Sequence, residues 1–587
     1  MYQSAKRKVI HTGLAFLALG ALATGCARPA VVDARQAQVV VAPSGKGPAR
    51  AQSAMVTSAT ELASRVGEEI LRAGGNAVDA AIATGFALAV TYPQAGNIGG
   101  GGFMVIRFPD GTSTAIDFRE KAPLSAHPEM FLDSAGNYSY DIHHNSHIAV
   151  GVPGTVAGLE LAHKKYGKLP WAKLVEPSVR LAADGFPMMS YLSRSLKGVL
   201  PDMKKYPASV AAYSKNGVPY EVGELFRQPD LARTLERIRD QGRDGFYKGE
   251  TARLIVEEMK RHGGLITYED LERYEAKERA PVRGTYRGYE IISMPPPSSG
   301  GVALIQMLNI LEGFDLKSMG HNSPKYLHHL AETMRLAFRD RARHLGDPDF
   351  EEIPVAALTD KAYAAELRAL IDPNRATPSR LEDVAGVALA PESMETTHYS
   401  VVDKDGMAVA VTYTLEASYG MKAVVEGAGF LLNNEMGDFN GKPGLTNETG
   451  LIGTKANLAR PEKRMLSSMT PTILAKDGKL FAVVGSPGGR TIINTVLQVV
   501  LNMIDFEMDV QDAVDAKRIH HQWFPDQIRM EPGSDSKTAE ALRAMGHKVT
   551  VTRSTQGRSH SIKIDPATGM RIGAADPRDG DAGAVGH

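Results

Sequence analysis

The chain has 587 residues, 43% of them hydrophobic and 23% charged, enough apolar material for a large buried core. Its 67 Lys and Arg are balanced by 67 Asp and Glu, so no basic excess is available to neutralise phosphates, which argues against nucleic-acid binding. One cysteine, Cys26, excludes an intrachain disulfide framework and any Cys-built metal site.

Lys6, Arg7 and Lys8 precede a mostly apolar run from Thr12 to Thr24. At about 13 residues the run is too short for a stable membrane span and the right length for the core of an export signal, predicting a signal peptide over 1–25. Ala23-Thr24-Gly25 leads into Cys26 as in a bacterial lipobox, with Leu22 one place earlier than the usual leucine. The expectation is an exported, periplasmic lipoprotein anchored at Cys26. Ala27 leans towards the outer membrane of a Gram-negative host; the plainer alternative is ordinary signal cleavage near Ala27. No later segment reaches the roughly 18 uninterrupted apolar residues of a span, so membrane contact is expected through the lipid alone.

Residues 26–54, rich in alanine, proline and small polar residues without a sustained period, read as a tether, with globular patterning from Met55. Ser58 is a candidate N-cap for a helix carrying Leu62, Val66, Ile70 and Leu71 up to Gly74-Gly75. Asn76 caps a second helix, small and apolar all round and therefore buried, through about Val90. Gly99 to Gly102 then feeds a strand from Met104 to Phe108; glycines there permit close backbone approach, and the run is not a dinucleotide fingerprint because no helix follows. Residues 150–270 are mainly helical in pattern. Pro295-Pro296-Pro297-Ser298-Ser299-Gly300-Gly301 precedes a long helix from Val302, and residues 372–391 loosen into a loop. No internal repeat is present.

After that loop, Thr396 to Asp403 reads as a strand, Lys404-Asp405-Gly406 as a turn and Met407 to Leu415 as a second strand. A three-residue loop makes paired positions sum to 810, setting Thr396 opposite Thr414; a two-residue loop would set Leu415 there. In the favoured register Thr396, His398, Ser400, Ala410, Thr412 and Thr414 share a small, polar face, and Tyr399, Val401, Val409, Val411 and Tyr413 the other. A threonine hydroxyl is a weak nucleophile unless a base adjoins it, and a chain-terminal α-amine, with an ordinary pKa of about 7.7–8.0, is such a base. An internal threonine gains that amine only if the preceding peptide bond is cut. Taken alone, Thr-Thr at a strand start is far more often structural.

Thr396-Thr397-His398-Tyr399-Ser400-Val401-Val402-Asp403 resembles the start of the small subunit of bacterial γ-glutamyltranspeptidases, which are N-terminal-nucleophile hydrolases. Gly99 to Phe103, Asp117-Phe118-Arg119-Glu120, Gly151 to Thr155, Pro295 to Gly301, Leu345 to Phe350, Leu466 to Met469, Gly485 to Gly489 and Asp576-Pro577-Arg578 also resemble family motifs, in family order from about Met55 to the C-terminus. The resemblance implies an α/β, four-layer αββα sandwich built, after autocleavage between Glu395 and Thr396, from a large subunit (55–395) and a small subunit (396–587) that stay together as a heterodimer. It implies that the Thr396 hydroxyl attacks γ-glutamyl amides such as glutathione and that water, an amino acid or a dipeptide resolves the ester, with no metal or organic cofactor.

Residue by residue, the resemblance assigns Thr414 to hydrogen-bond the Thr396 hydroxyl, and the backbone N–H groups of Gly488 and Gly489 to an oxyanion hole. Arg119, Ser467 and Ser468 would take the substrate α-carboxylate, the arginine through its planar fork. Glu435 and Asp438, joined by Glu416, would take its α-ammonium. Glu416 stands where many members have asparagine and Glu435 where some have glutamine, which adds negative charge around the ammonium. Pro443 to Lys463 has the length of the family's lid, yet Thr449 replaces a frequent aromatic gate, so more open access and relatively more hydrolysis than transfer are expected. His398 is expected to be structural, as are His328-His329 and His520-His521, because neighbouring helical histidines point to different faces. No H-E-x-x-H or G-x-S-x-G element is present. The alternatives are a cephalosporin (glutaryl) acylase, disfavoured because Arg119 with Glu435 and Asp438 suits an amino-acid headgroup, and an unprocessed lipoprotein that only binds γ-glutamyl peptides.

Overall fold

In the computed structural model, which describes residues 38–380, 395–444 and 454–587, two antiparallel sheets form the centre of the molecule. The first runs Val40–Pro43, Gly583–Gly586, Met55–Ser58, Thr397–Val402, Ala408–Thr414, Gly101–Arg107, Ser113–Phe118, Lys277–Arg279. The second runs Ala49–Ala51, Arg571–Ala574, Ser561–Ile564, Lys479–Val484, Thr472–Lys476, Tyr289–Ser293, Val282–Tyr286. Helices Glu61–Arg72, Ala77–Thr91 and Thr155–Tyr166 cover the outer face of the first sheet, with Trp171–Asp184 packed on Ala77–Thr91; Gly300–Leu311 and Thr491–Ile504 cover that of the second, with Pro324–His344 packed on Gly300–Leu311. The result is the expected αββα sandwich. The signal peptide, Cys26 and Thr449 lie outside the described residues.

The hairpin of Thr397–Val402 and Ala408–Thr414 has the favoured register: Thr397 pairs with Tyr413, His398 with Thr412 and Ser400 with Ala410. Tyr399, Val401, Val409, Val411 and Tyr413 accordingly enter the core against the first helical layer, while Val402, Ala408 and Ala410 enter the core between the sheets. This hairpin sits mid-sheet, between Met55–Ser58 and Gly101–Arg107. Strands from both sides of the Glu395–Thr396 bond therefore alternate in one sheet, and cutting that bond leaves every ladder intact.

Two local readings are corrected. Thr60, not Ser58, caps the first helix, its hydroxyl accepting from the Ala63 N–H at 3.2 Å, because Ser58 ends a strand. The tether read over 26–54 is shorter, since Val40–Pro43 pairs with Gly583–Gly586 and Ala49–Ala51 with Arg571–Ala574. These are short edge segments whose pairing partners lie at the far end of the chain, which local composition does not reveal. Asn76 caps Ala77–Thr91 as expected, in a reciprocal capping box with Asp79.

Candidate active site

Thr396 stands one residue before its strand, at the edge of a small cavity. In the uncut chain its hydroxyl lies 2.5 Å from the Glu395 carbonyl oxygen, the peptide group it would attack. Thr414, across the hairpin, places its own hydroxyl 3.2 Å from the same oxygen and 3.4 Å from Thr396 Oγ1, and accepts the Glu416 N–H at 2.9 Å. The glycine run explains how Thr414 reaches this position. A Cβ on Gly100 would lie 2.1 Å from the Thr414 carbonyl oxygen, so only glycine lets the backbones approach, and Asn97 Nδ2 donates to that oxygen at 2.8 Å.

Arg119, fully buried, projects from the end of Ser113–Phe118. Its guanidinium pairs with Glu435 and Asp438, lies 3.7 Å from Glu120, and donates to the Met465 and Leu466 carbonyls at 3.3 Å. Burial works against its charge, but the carboxylates of Glu435, Asp438 and Glu120 outweigh that and hold its proton more tightly. Burial pushes Glu435 well up and Glu120 up to about 7, against the pull of Arg119. Glu416 adds a further carboxylate, with His144 Nδ1 at 3.9 Å, and burial lowers His144 to about 4. Glu416 has φ 73°, a left-handed backbone that glutamate adopts at a cost and asparagine more readily.

Ser467 and Ser468 are presented by the Pro-Pro-Pro-Ser-Ser loop: Ser299 donates its N–H and hydroxyl to the Ser467 carbonyl at 2.7 and 2.6 Å, and the Ser467 N–H donates to Pro297 at 3.0 Å. Arg341, from the long helix Pro324–His344, reaches Ser468 Oγ at 2.9 Å and Ser299 Oγ at 2.8 Å. Gly489 lines the cavity just before helix Thr491–Ile504, whose N-terminal end favours negative charge. Gly488, φ 130°, adjoins it without being among the lining residues.

Thr396, Thr414, Glu416, Arg119, Glu435, Asp438, Ser467, Ser468 and Gly489 thus line one cavity with Glu395. Sequence reasoning missed the apolar lining residues Met469 and Ile492, the buried Glu120 and the clamp made by Arg341. Glu120 and Met469 stood in motif stretches, beside Arg119 and Ser468; Arg341 is one of several arginines on its helix. His398 lies on the expected face but is enclosed, bonded to Thr412 Oγ1 at 2.9 Å and Ser400 Oγ at 3.0 Å. Burial holds it well below the usual imidazole range, so it is neutral. His328 bonds His547 at 2.8 Å and His520 bonds Asn494 at 2.7 Å. Among the described residues one group, His147, Glu258 and His262, brings metal-type donors within 4.8 Å of one another; Arg261 already pairs with Glu258, and none of the three lines this cavity.

The Gamma-glutamyltranspeptidase family model matches residues 63–586. The glutathione hydrolase proenzyme of Escherichia coli K12 is 50% identical over 545 residues, covering 92% of this chain and 93% of that protein. This chain belongs to the γ-glutamyltranspeptidase family. Among solved structures, cephalosporin acylase from Bacillus halodurans superposes with a TM-score of 0.82 at 29% identity, covering 93% of this chain and 98% of that one. Helicobacter pylori γ-glutamyltranspeptidase superposes with a TM-score of 0.53 at 48% identity, covering 54% and 91%. This is therefore a γ-glutamyltranspeptidase of the N-terminal-nucleophile hydrolase superfamily, with the sandwich that goes with it.

Proposed function

We propose that Thr396 is both the agent of scission and the catalytic nucleophile of an autoprocessing γ-glutamyltranspeptidase and glutathione hydrolase. The observation that carries this is the convergence of the Thr396 and Thr414 hydroxyls on the Glu395 carbonyl, beside a cavity lined by one guanidinium, the side chains of Glu395, Glu416, Glu435 and Asp438, and two serines. In scission the Thr396 oxygen adds to the Glu395 carbonyl carbon, the C–N bond breaks, and the proton lost by the hydroxyl ends on the departing nitrogen. Water then hydrolyses the ester, leaving Glu395 as a carboxylate and Thr396 with a free hydroxyl and a free α-amine.

In turnover that amine takes the hydroxyl proton as Thr396 attacks a γ-carbonyl, and delivers it to the leaving amine. The Thr414 hydroxyl and the N–H groups at Gly488 and Gly489 stabilise the developing oxyanion. Arg119, Ser467 and Ser468 receive the substrate α-carboxylate, while Glu435, Asp438 and Glu416 receive its α-ammonium. Carboxylates outnumber the single lining guanidinium, which supports a zwitterionic amino-acid headgroup over the plain diacid of a glutaryl acylase. Glutathione is the proposed donor; amino acids and dipeptides are acceptors. The N-terminal pattern supports export, with Cys26 as the lipid site. Incubation with γ-glutamyl-4-nitroanilide tests the activity, and N-terminal sequencing tests the cut: a second polypeptide beginning Thr-Thr-His-Tyr is expected, and a single uncut band without 4-nitroaniline release refutes the reading.

A further inference from the structure

Glu395 contributes more than its carbonyl. Its carboxylate is held 3.1 Å from Arg558 Nη1 and 3.5 Å from Gln94 Nε2. Arg558 also donates to the Tyr92 hydroxyl at 3.2 Å, and Gln94 to the same hydroxyl at 2.6 Å; Tyr92 in turn bonds Asp579. None of Arg558, Gln94 and Tyr92 lines the Arg119 cavity, so this is a second cationic position at the nucleophile.

The site is built rather than incidental. The Arg558 N–H donates to Ser486 Oγ at 2.9 Å and the next N–H, of Ser559, to Asp576 at 2.7 Å. The Gln556 N–H donates to Glu531 at 2.7 Å, and Arg518 grips the Gln556 carbonyl at 2.8 Å and Asp576 at 2.9 Å. A loop anchored on a buried Arg518–Asp576 pair has little freedom, so its guanidinium is pre-organised at one place. The Arg558 and Glu395 side chains keep 19% and 22% of their surface exposed, so the pair borders solvent.

We infer that Arg558, supported by Gln94, is a carboxylate subsite that first holds the Glu395 side chain for scission and afterwards takes the carboxylate of the accepting or departing amino acid or dipeptide. This rests on the proposed chemistry at Thr396. In the uncut chain the Glu395 carboxylate is an internal ligand of the same class, joined to the attacked carbonyl through three carbons. Fixing it removes rotations about that link, holding the scissile carbonyl under the two hydroxyls. Scission frees Glu395 from Thr396, and its carboxylate then competes for Arg558 with any carboxylate in solution. Counted from the attacked carbonyl carbon, the Glu395 carboxyl carbon is about four bonds away, that of an amino-acid acceptor about three and that of a dipeptide about six, so the two acceptor classes bracket the reach that Glu395 bridges. Arg558 is thus a positioning residue in maturation and a specificity residue in transfer.

The first test needs no variant. With γ-glutamyl-4-nitroanilide as donor, glycylglycine is compared with glycylglycine amide, which keeps the nucleophilic amine and lacks the carboxylate. A charge-assisted hydrogen bond predicts a KM about tenfold lower for the acid. Arg558→Gln should bring the two acceptors to within about twofold of each other and slow precursor scission on a denaturing gel about tenfold, with Arg558→Lys between it and the parent. Equal KM values for the acid and the amide in the parent enzyme overturn the acceptor subsite, whether or not the variants fold. Parent-rate scission in folded Arg558→Gln overturns the maturation role. Absence of both scission and anilide turnover in the parent instead sinks the nucleophile assignment, a distinguishable outcome.

Discussion

Replacing Thr414 by valine exchanges a hydroxyl for a methyl group of nearly the same size in a buried strand, so packing is conserved while three polar contacts are lost. Thr414 Oγ1 stands 3.2 Å from the Glu395 carbonyl oxygen, 3.4 Å from Thr396 Oγ1 and accepts the Glu416 N–H at 2.9 Å. Leaving that buried N–H without its acceptor costs about 1–3 kcal/mol of stability. The larger effect falls on the reaction, because negative charge develops on the Glu395 oxygen as the Thr396 hydroxyl adds. Loss of one preorganised oxyanion donor costs about 3–4 kcal/mol in a transition state, a rate loss of roughly 10²–10³. Purified precursor followed on denaturing gels should therefore convert at least about a hundredfold more slowly in Thr414→Val, while Thr414→Ser should stay within about tenfold of the parent. Conversion of folded Thr414→Val at the parent rate would remove Thr414 from the mechanism.

Thr396→Ala should abolish both chain scission and γ-glutamyl-4-nitroanilide turnover, read by gel and by 4-nitroaniline release; persistence of either one contradicts the nucleophile assignment. Glu120→Gln should gain stability relative to the parent as pH rises. Burial lifts Glu120 to about 7 from an ordinary 4.5, so the folded state keeps a proton that the unfolded chain has lost between those values, and parent stability declines across that window. Comparing the two Tm values at pH 4.5 and pH 8 measures this, and a pH-independent difference contradicts it. Glu416→Asn should relieve left-handed strain at φ 73° and raise stability by about 0.5–1 kcal/mol. Removal of the carboxylate should at the same time raise the KM for γ-glutamyl donors; an unchanged KM would place Glu416 outside ammonium recognition.

The sequence by itself determined the hairpin that follows Thr396. Side-chain alternation and a three-residue turn act over adjacent residues, and they set Thr396 against Thr414 and sent Tyr399 and Tyr413 to the opposite core. The Asn76 cap was legible for the same reason, since a capping box closes within four residues. The small face of the hairpin acquires its meaning only from the second sheet: a Cβ on Gly485 would come within 2.2 Å of the His398 ring. The edge strands at Val40–Pro43 and Ala49–Ala51 were unreadable because their partners are at residues 571–586. Family motifs marked Arg119, Glu435 and Ser468, but how these groups engage was decided by tertiary contacts. Arg119 pairs with Glu435 across 316 residues, Arg341 grips Ser468 across 127, and Arg558 meets Glu395 across 163. A contact of that separation has no periodicity and no local propensity; it exists because the packed sheets, helices and loops carry its halves to the same place.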